Sequence, residues 1–369
     1  MSEANRTIKP NGGSKVRVLV VGLGTMGLSH AKAYRAIDGF SLVGLCTHRA
    51  WTRDDLAREF PDVERFEDFD TALAKLKPDA VAVCTYTETH VALATKALEA
   101  GAHVFCEKPL AESIEAAERV VAAAKAAKRA LIIGYILRVH PSWTRFVEIG
   151  RSLGKPLAMR MNLNQQSSGS FWGVHKNLMR STSPIVDCGV HYVDVMCQVT
   201  QSKPVSVHAV GARLTDEIAP TMYNYGHLHI AFADGSVGWY EAAWGPMVSE
   251  TAYFVKDMIG PKGSVSIMSK EGPSEGVASA DHDTHTRTNA LRLHHAELKA
   301  DGAFAKSDEI IATADEPSHQ ELCELEQRLF LDAIRSGRDL SAHHEDALNS
   351  LRIVFAADES VRTGEVVRL

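Results

Sequence analysis

From Val16 to Tyr135, short apolar runs alternate with stretches in which apolar residues recur every three or four positions. Val16–Val21, Phe40–Cys46, Asp79–Cys84, His103–Pro109 and Ala130–Tyr135 have the pattern of buried strands. Thr25–Ile37, Trp51–Phe60, Glu88–Ala100 and Ser113–Lys128 have that of helices. Gly101 stops the third helix, Pro109 halts the fourth strand, and Ser113 N-caps the alanine-rich helix. Such alternation predicts a parallel sheet covered on both faces. After Tyr135 the pattern changes. Helices are expected at Pro141–Leu153, Pro184–Val199, His319–Arg335 and Glu345–Arg362. Strands are expected at Pro156–Asn164, Val205–Leu214, Tyr223–Phe232, Ser236–Ala243, Thr251–Met258 and Gly263–Met268, with a hairpin turn at Ala233–Ser236. The polar stretch Ser269–Asp308 is expected to be an exposed excursion.

Composition narrows the class. A chain of 369 residues, 45% hydrophobic and 23% charged, has room for two ordinary domains with a sizeable core. A net charge of −6 gives no reason to expect nucleic acid or an anionic membrane as partner. No apolar run approaches the ~20 residues needed to cross a bilayer, and the polar start has no apolar leader core. The six cysteines form no CxxC pair, so reduced, buried thiols in a cytoplasmic protein are expected, with no metal site. The histidine pairs His282/His285, His294-His295 and His343-His344 are expected on the solvated surface.

The stretch "VGLGTMG" follows the first strand and opens the first helix. In this setting Gly22 allows a tight turn, Gly24 lets the backbone approach a pyrophosphate, and Gly27 lets helix and strand pack closely. The phosphate loop therefore comprises Gly22, Leu23, Gly24, Thr25, Met26 and Gly27, and the fold class is α/β. A Rossmann domain with a doubly wound parallel sheet is expected at 15–135, after a flexible tail at 1–14. An α+β domain with a large, mostly antiparallel sheet is expected at 136–369. At the end of the second strand Thr47, His48 and Arg49 replace the acid that grips an adenosine ribose, which leaves NAD and NADP both open, one dinucleotide per subunit.

Two further motifs are "CTYTETH…GAHVFCEKPLA" and "SPIVDCGVHYVD". Together with the glycine loop they resemble, in order and spacing over nearly the whole chain, the Gfo/Idh/MocA family of glucose–fructose oxidoreductase, inositol dehydrogenase and their relatives. The resemblance implies that Lys108, Asp187 and His191 surround a reacting carbinol. It also implies that Thr85, Tyr86, His90 and Glu107 lie with Lys108 around the cofactor, and that the bend at Pro109 is often a cis peptide. The residues themselves agree. Ser183 and Pro184 suit a helix start, and Asp187 and His191 are i,i+4 in the helix that follows. A neutral imidazole can take a hydroxyl proton as hydride leaves.

Period-two alternation in "MRMNLNQQ" puts Arg160, Asn162 and Asn164 on one strand face. With His175, Lys176 and Arg180 they suggest a locally basic pocket for an anionic or heavily hydroxylated sugar. Tyr135 and Arg138 are further pocket candidates. The reaction expected is hydride transfer between a sugar carbinol and a nicotinamide. The same tool kit serves a redox-neutral, NAD-dependent glycosidase branch, such as a sulfoquinovosidase, and a non-catalytic sensor is the third reading. A half-apolar sheet predicts a homodimer or homotetramer.

Overall fold

The computed structural model describes residues 14–249, 255–268, 286–313 and 315–369. The expected tail apart from Ser14, the start of the strand expected at Thr251, residues 269–285 of the excursion and the His282/His285 pair lie outside them.

The first lobe is a six-stranded parallel sheet of β1 (Val16–Val21), β2 (Phe40–Cys46), β3 (Glu64–Phe66), β4 (Ala80–Val83), β5 (His103–Glu107) and β6 (Leu131–Gly134), in the order β3-β2-β1-β4-β5-β6. Helices α1 (Thr25–Ala36), α2 (Asp54–Glu59), α3 (Phe69–Leu76), α4 (Thr87–Glu99) and α5 (Ile114–Ala127) connect the strands. The strand order reverses between β1 and β4, so a crevice opens beyond their carboxyl ends, where α/β sheets hold ligands. The sequence pattern missed β3 and α3. β3 is a three-residue edge strand with an exposed first residue, too short to show a period. α3 is started by Asp68, whose Oδ2 accepts from the Thr71 N–H at 2.7 Å.

The second lobe is built on a nine-stranded sheet. Its strands are β7 (Ala158–Gln166), β8 (Pro204–Ala212), β9 (Tyr225–Phe232), β10 (Val237–Gly245), β11 (Lys256–Gly260), β12 (Gly263–Ile267), β13 (Ala290–His295), β14 (Glu309–Ala312) and β15 (Val367–Arg368). The order is β14-β13-β12-β11-β7-β10-β9-β8-β15, antiparallel except for the β7–β10 pair. β13 corrects the expectation of an excursion at Ser269–Asp308, and β14 begins just beyond that stretch. Their side chains are half-buried or exposed at most positions, so the stretch is polar and still pairs in register.

Helices α6 (Pro141–Ser152), α7 (Gly169–Leu178), α8 (Val190–Thr200), α9 (His319–Ser336) and α10 (Ser341–Thr363) complete the fold. α6, α8 and α10 pack on one face of the large sheet. α9 crosses to the first lobe and lies on α1. There Tyr34 donates to Gln327 Oε1 at 2.5 Å, and Phe330 joins Phe40 and Phe105 in the first lobe's core.

The pair His343-His344 is not at the solvated surface. β6 is an edge strand with unpaired backbone groups, and α10 supplies them. His343 Nε2 accepts from the Ile133 N–H at 2.9 Å, and His344 Nε2 donates to Leu131 O at 2.8 Å. His294 and His295 do lie on the outer sheet, paired with Asp308 and Glu309.

Burial lowers the pKa of His343 well below the ordinary imidazole value and also lowers that of His90, His103, His140 and His344. The unfolded chain binds these protons near pH 6.5 while the folded chain does not, so stability falls as pH drops below that value. Each such imidazole contributes a slope of at most about 1.4 kcal/mol per pH unit, and only between its folded and unfolded pKa values. Urea titrations at pH 7.5, 6.5 and 5.5 should give steadily lower midpoints. A flat series contradicts this assignment.

Candidate active site

The glycine loop has the shape of a phosphate cradle. Gly22 has φ +86° and closes the turn. A Cβ on Gly27 would meet Gly22 O at 1.8 Å, whereas one on Gly24 would meet nothing within 4 Å. Gly24 begins α1 with no side-chain cap and no acid in the first turn, so the helix's leading N–H groups are open to an anion. Thr25 is exposed beside Gly24, Met26 lines the cleft between the lobes, and Leu23 is buried in the core. A dinucleotide's pyrophosphate fits this cradle. At the end of β2, Thr47 is half-buried and His48 and Arg49 are exposed, and none of the three is an acid. Arg53, which the sequence reading overlooked, donates to Leu23 O at 3.0 Å and ties the loop to the segment after β2.

At the ends of β4 and β5, Thr85 is half-buried and Tyr86 is exposed at the rim. His90 is 1% exposed and does not face the groove. Its ring bridges two loops, with Nδ1 2.9 Å from Pro109 O and Nε2 3.0 Å from Thr85 O. Glu107 Oε1 lies 2.7 Å from His30 Nε2, and His30 Nδ1 lies 2.9 Å from Gln327 Nε2. Cys323 and Glu326 stand beside His30. Glu326 lines the cleft wall, where burial, and then the charge of Glu107, raises its pKa well above the usual carboxyl value.

The cleft between the lobes has a cavity volume of about 230 Å³. Lys108, Asp187 and His191 converge on it. Lys108 Nζ donates to Asp187 O at 3.0 Å and to its Oδ1 at 3.1 Å. The Lys108–Pro109 peptide is cis. Burial opposes the Lys108 ammonium, but Asp187, Cys188 and Glu107 outweigh it and hold its pKa above that of a free lysine. Burial also opposes the Asp187 carboxylate, and Lys108 outweighs it, so the pair is ionic. Burial first, and the Lys108 ammonium second, pull the His191 imidazole down to about 3. His191 is therefore neutral at pH 7, and its buried Nδ1 has no hydrogen-bond partner among the described residues.

Local structure explains the convergence. Ser183 Oγ accepts from the Val186 N–H at 3.1 Å and donates to Asp358 at 2.7 Å, which starts and anchors the segment. Ile185–Gly189 is a single π-helical turn rather than the continuous helix expected from Pro184, and α8 follows from Val190. The backbone there runs against Tyr240. A Cβ on Gly189 would lie 2.8 Å from that ring, so only glycine fits between Asp187 and His191.

The expected basic pocket does not form in the cleft. On β7 it is Leu163 and Gln165 that face the cleft, so the alternate residues Arg160, Asn162 and Asn164 point away from it. Arg160 pairs with Asp257, Asn162 Oδ1 accepts from the Val255 N–H, and Asn164 donates to Glu241. Lys176 pairs with Glu217 outside the cleft, and Arg180 is exposed. His175 does line the cleft, stacked on Trp244 at 4.2 Å and 3.1 Å from Ser167 Oγ. Among the described lining residues, Lys108 is the one lysine or arginine. Tyr135 is 2% exposed. Its hydroxyl bonds Ser350 at 2.7 Å and its ring edge supports His191 at 5.9 Å. Arg138 is held between Asp194, at 2.5 and 2.8 Å, and Asp346 at 3.0 Å. Gln165, Cys188, Tyr192, His319 and Glu326 line the cleft although sequence reasoning did not select them.

A doubly wound sheet with a phosphate cradle, joined across a cleft to an antiparallel sheet bearing a lysine, a carboxylate and an imidazole, defines a dinucleotide-dependent oxidoreductase architecture. Residues 16–135 match the oxidoreductase family with an NAD-binding Rossmann fold, GFO/IDH/MocA, and residues 150–264 match the GFO/IDH/MocA C-terminal domain. The chain belongs to this family. It is 27% identical to scyllo-inositol 2-dehydrogenase (NAD(+)) of Bacillus subtilis (strain 168), over 96% of each chain. It is 25% identical to D-glucoside 3-dehydrogenase of Escherichia coli (strain K12), covering 78% of this chain and 89% of that one. The fold is shared with GenD2 from gentamicin A biosynthesis in complex with NAD, at a TM-score of 0.74 and 21% identity, over 98% of this chain and 99% of that one. Among the described residues, no helix is long and apolar enough to cross a membrane.

Proposed function

We propose that the protein is an NAD(P)-dependent dehydrogenase or reductase acting at one carbinol of a sugar or polyol. The observation that carries this reading is the meeting of Lys108, Asp187 and neutral His191 in the cleft beside the α1 phosphate cradle. Bound at that cradle, a nicotinamide coenzyme supplies the hydride acceptor. The chain's own groups handle the proton. Lys108 Nζ, oriented by Asp187, donates a hydrogen bond to the carbinol oxygen and steadies the negative charge that grows there. The neutral imidazole of His191, which lines the cleft, accepts the hydroxyl proton. The names of the B. subtilis and E. coli relatives support a polyol or glycoside substrate.

The test is a panel of inositols, free sugars and nitrophenyl glycosides with NAD and with NADP, read by absorbance of the reduced coenzyme. Both coenzymes belong in it because no acid stands at Thr47–Arg49. Stoichiometric reduced coenzyme is the expected result. Aglycone release with no net reduced coenzyme assigns the site to redox-neutral hydrolysis instead. No turnover with any carbinol overturns both.

Two wider readings accompany this one. The sheet face away from α8 and α10 presents exposed Val210, His229 and Val237, and Arg160 lies on it too. That open face supports a homodimer or homotetramer joined through it. All six cysteines are free and buried, which suits a reducing cytoplasm.

A further inference from the structure

The cleft has two unlike walls. Lys108, Asp187, His191 and Gln165 form a polar end. Phe171, Val174 and Leu178 of α7, at i, i+3 and i+7, form an apolar strip with Leu163 of β7, and Ile136 and Leu137 face the same space from the first lobe. Seven residues of helix advance about 10 Å, so the strip is longer than one pyranose ring. Val174, in the middle of it, is 52% exposed. α7 also stands on a small apolar core of its own, Trp172, Met179, Cys188, Ile218 and Trp244, apart from the main cores. Leu163 and Leu178 also pack against this core, so the strip faces the core at those two positions and the cleft most openly at Val174.

A free inositol or monosaccharide carries hydroxyls around its whole edge. Lying along this strip it would lose water from those hydroxyls without gaining partners, which is unfavourable. An apolar group laid on the strip would instead remove apolar surface from water on both sides.

We propose that the substrate is a glycoside with an apolar, aromatic aglycone. The aglycone lies along Phe171, Val174 and Leu178 while a sugar carbinol meets Lys108 and His191. This rests on the dehydrogenase reading for the carbinol end and adds the aglycone subsite.

The test uses matched pairs that differ only in aglycone: methyl and 4-nitrophenyl α- and β-glucosides, galactosides and xylosides. Binding to the protein loaded with NADH is measured by calorimetry, and oxidation is measured with NAD. In at least one pair the aryl glycoside should bind at least about 10-fold tighter than its methyl partner, and Val174→Asp should shrink that ratio below about 3-fold. Ratios near one in every pair overturn the aglycone subsite, whether or not the sugars are oxidised. A ratio that Val174→Asp leaves unchanged also overturns it. An aryl preference in binding with no oxidation of any carbinol leaves the subsite standing and overturns the dehydrogenase reading.

Discussion

Replacing Lys108 by methionine lowers turnover by about 10²–10⁴-fold, while affinity for the oxidised coenzyme changes by only a few-fold. The range is that of losing one positioned proton-handling or charge-stabilising group. Methionine keeps the length and apolar stem of the side chain but removes the ammonium that reaches Asp187 Oδ1 at 3.1 Å. Two consequences follow in the same direction. Asp187 loses the charge that holds its carboxyl low, so its pKa climbs. His191 loses the second of the two influences that pull it to about 3, so its pKa climbs as well. The acid limb of the residual rate against pH should therefore move upward relative to wild type. Coenzyme binding, followed by fluorescence, separates this from a collapsed site. A loss below about 10-fold with an unmoved pH profile contradicts the assignment of Lys108.

Replacing Arg138 by methionine costs about 3–5 kcal/mol of stability, the usual penalty for stranding a buried charge. Asp194 is 1% exposed and receives both branches of the guanidinium, with Gln198 Nε2 as its other partner at 3.0 Å. Asp346 on α10 loses a contact as well. The double variant Arg138→Met with Asp194→Asn should recover a large part of the loss, because the stranded charge is gone. Urea unfolding of the two variants checks both statements. A single variant within about 1 kcal/mol of wild type contradicts them. Its KM for substrate need not change, since Arg138 braces the turn at Ile136–Arg138 against α8 and α10 and does not line the cleft.

Much of this architecture was legible in the chain. The buried strands of the first lobe are near-continuous apolar runs, and the glycine loop, Lys108, Asp187 and His191 are set by local motifs, so they came out where expected. Period-two alternation in β7 separated Arg160, Asn162 and Asn164 correctly from Met161 and Leu163. It carried no information on which set turns toward the cleft. Polar character suggested the first set, yet the covering helices sit on the apolar side and the cleft opens there. α7 was missed because Gly169, Gly173 and neighbouring serines dilute its pattern, although Phe171, Val174 and Leu178 have helical spacing. β13 was missed because its one apolar face is only Leu291 and Leu293, set in a long polar stretch. His343 and His344 looked like surface residues because what they bond, the exposed backbone of β6, is distant in sequence and carries no side-chain signature.

The return of α9 to the nucleotide-binding lobe bears on how the molecule is made. Phe330 and Leu331 complete a core whose strands end at Gly134. As the chain leaves the ribosome, that lobe must wait with an unfilled greasy seam until most of the second lobe has been synthesised. The exposed seam is a natural target for a chaperone, and a fragment cut after β6 should be sticky rather than a free-standing coenzyme binder.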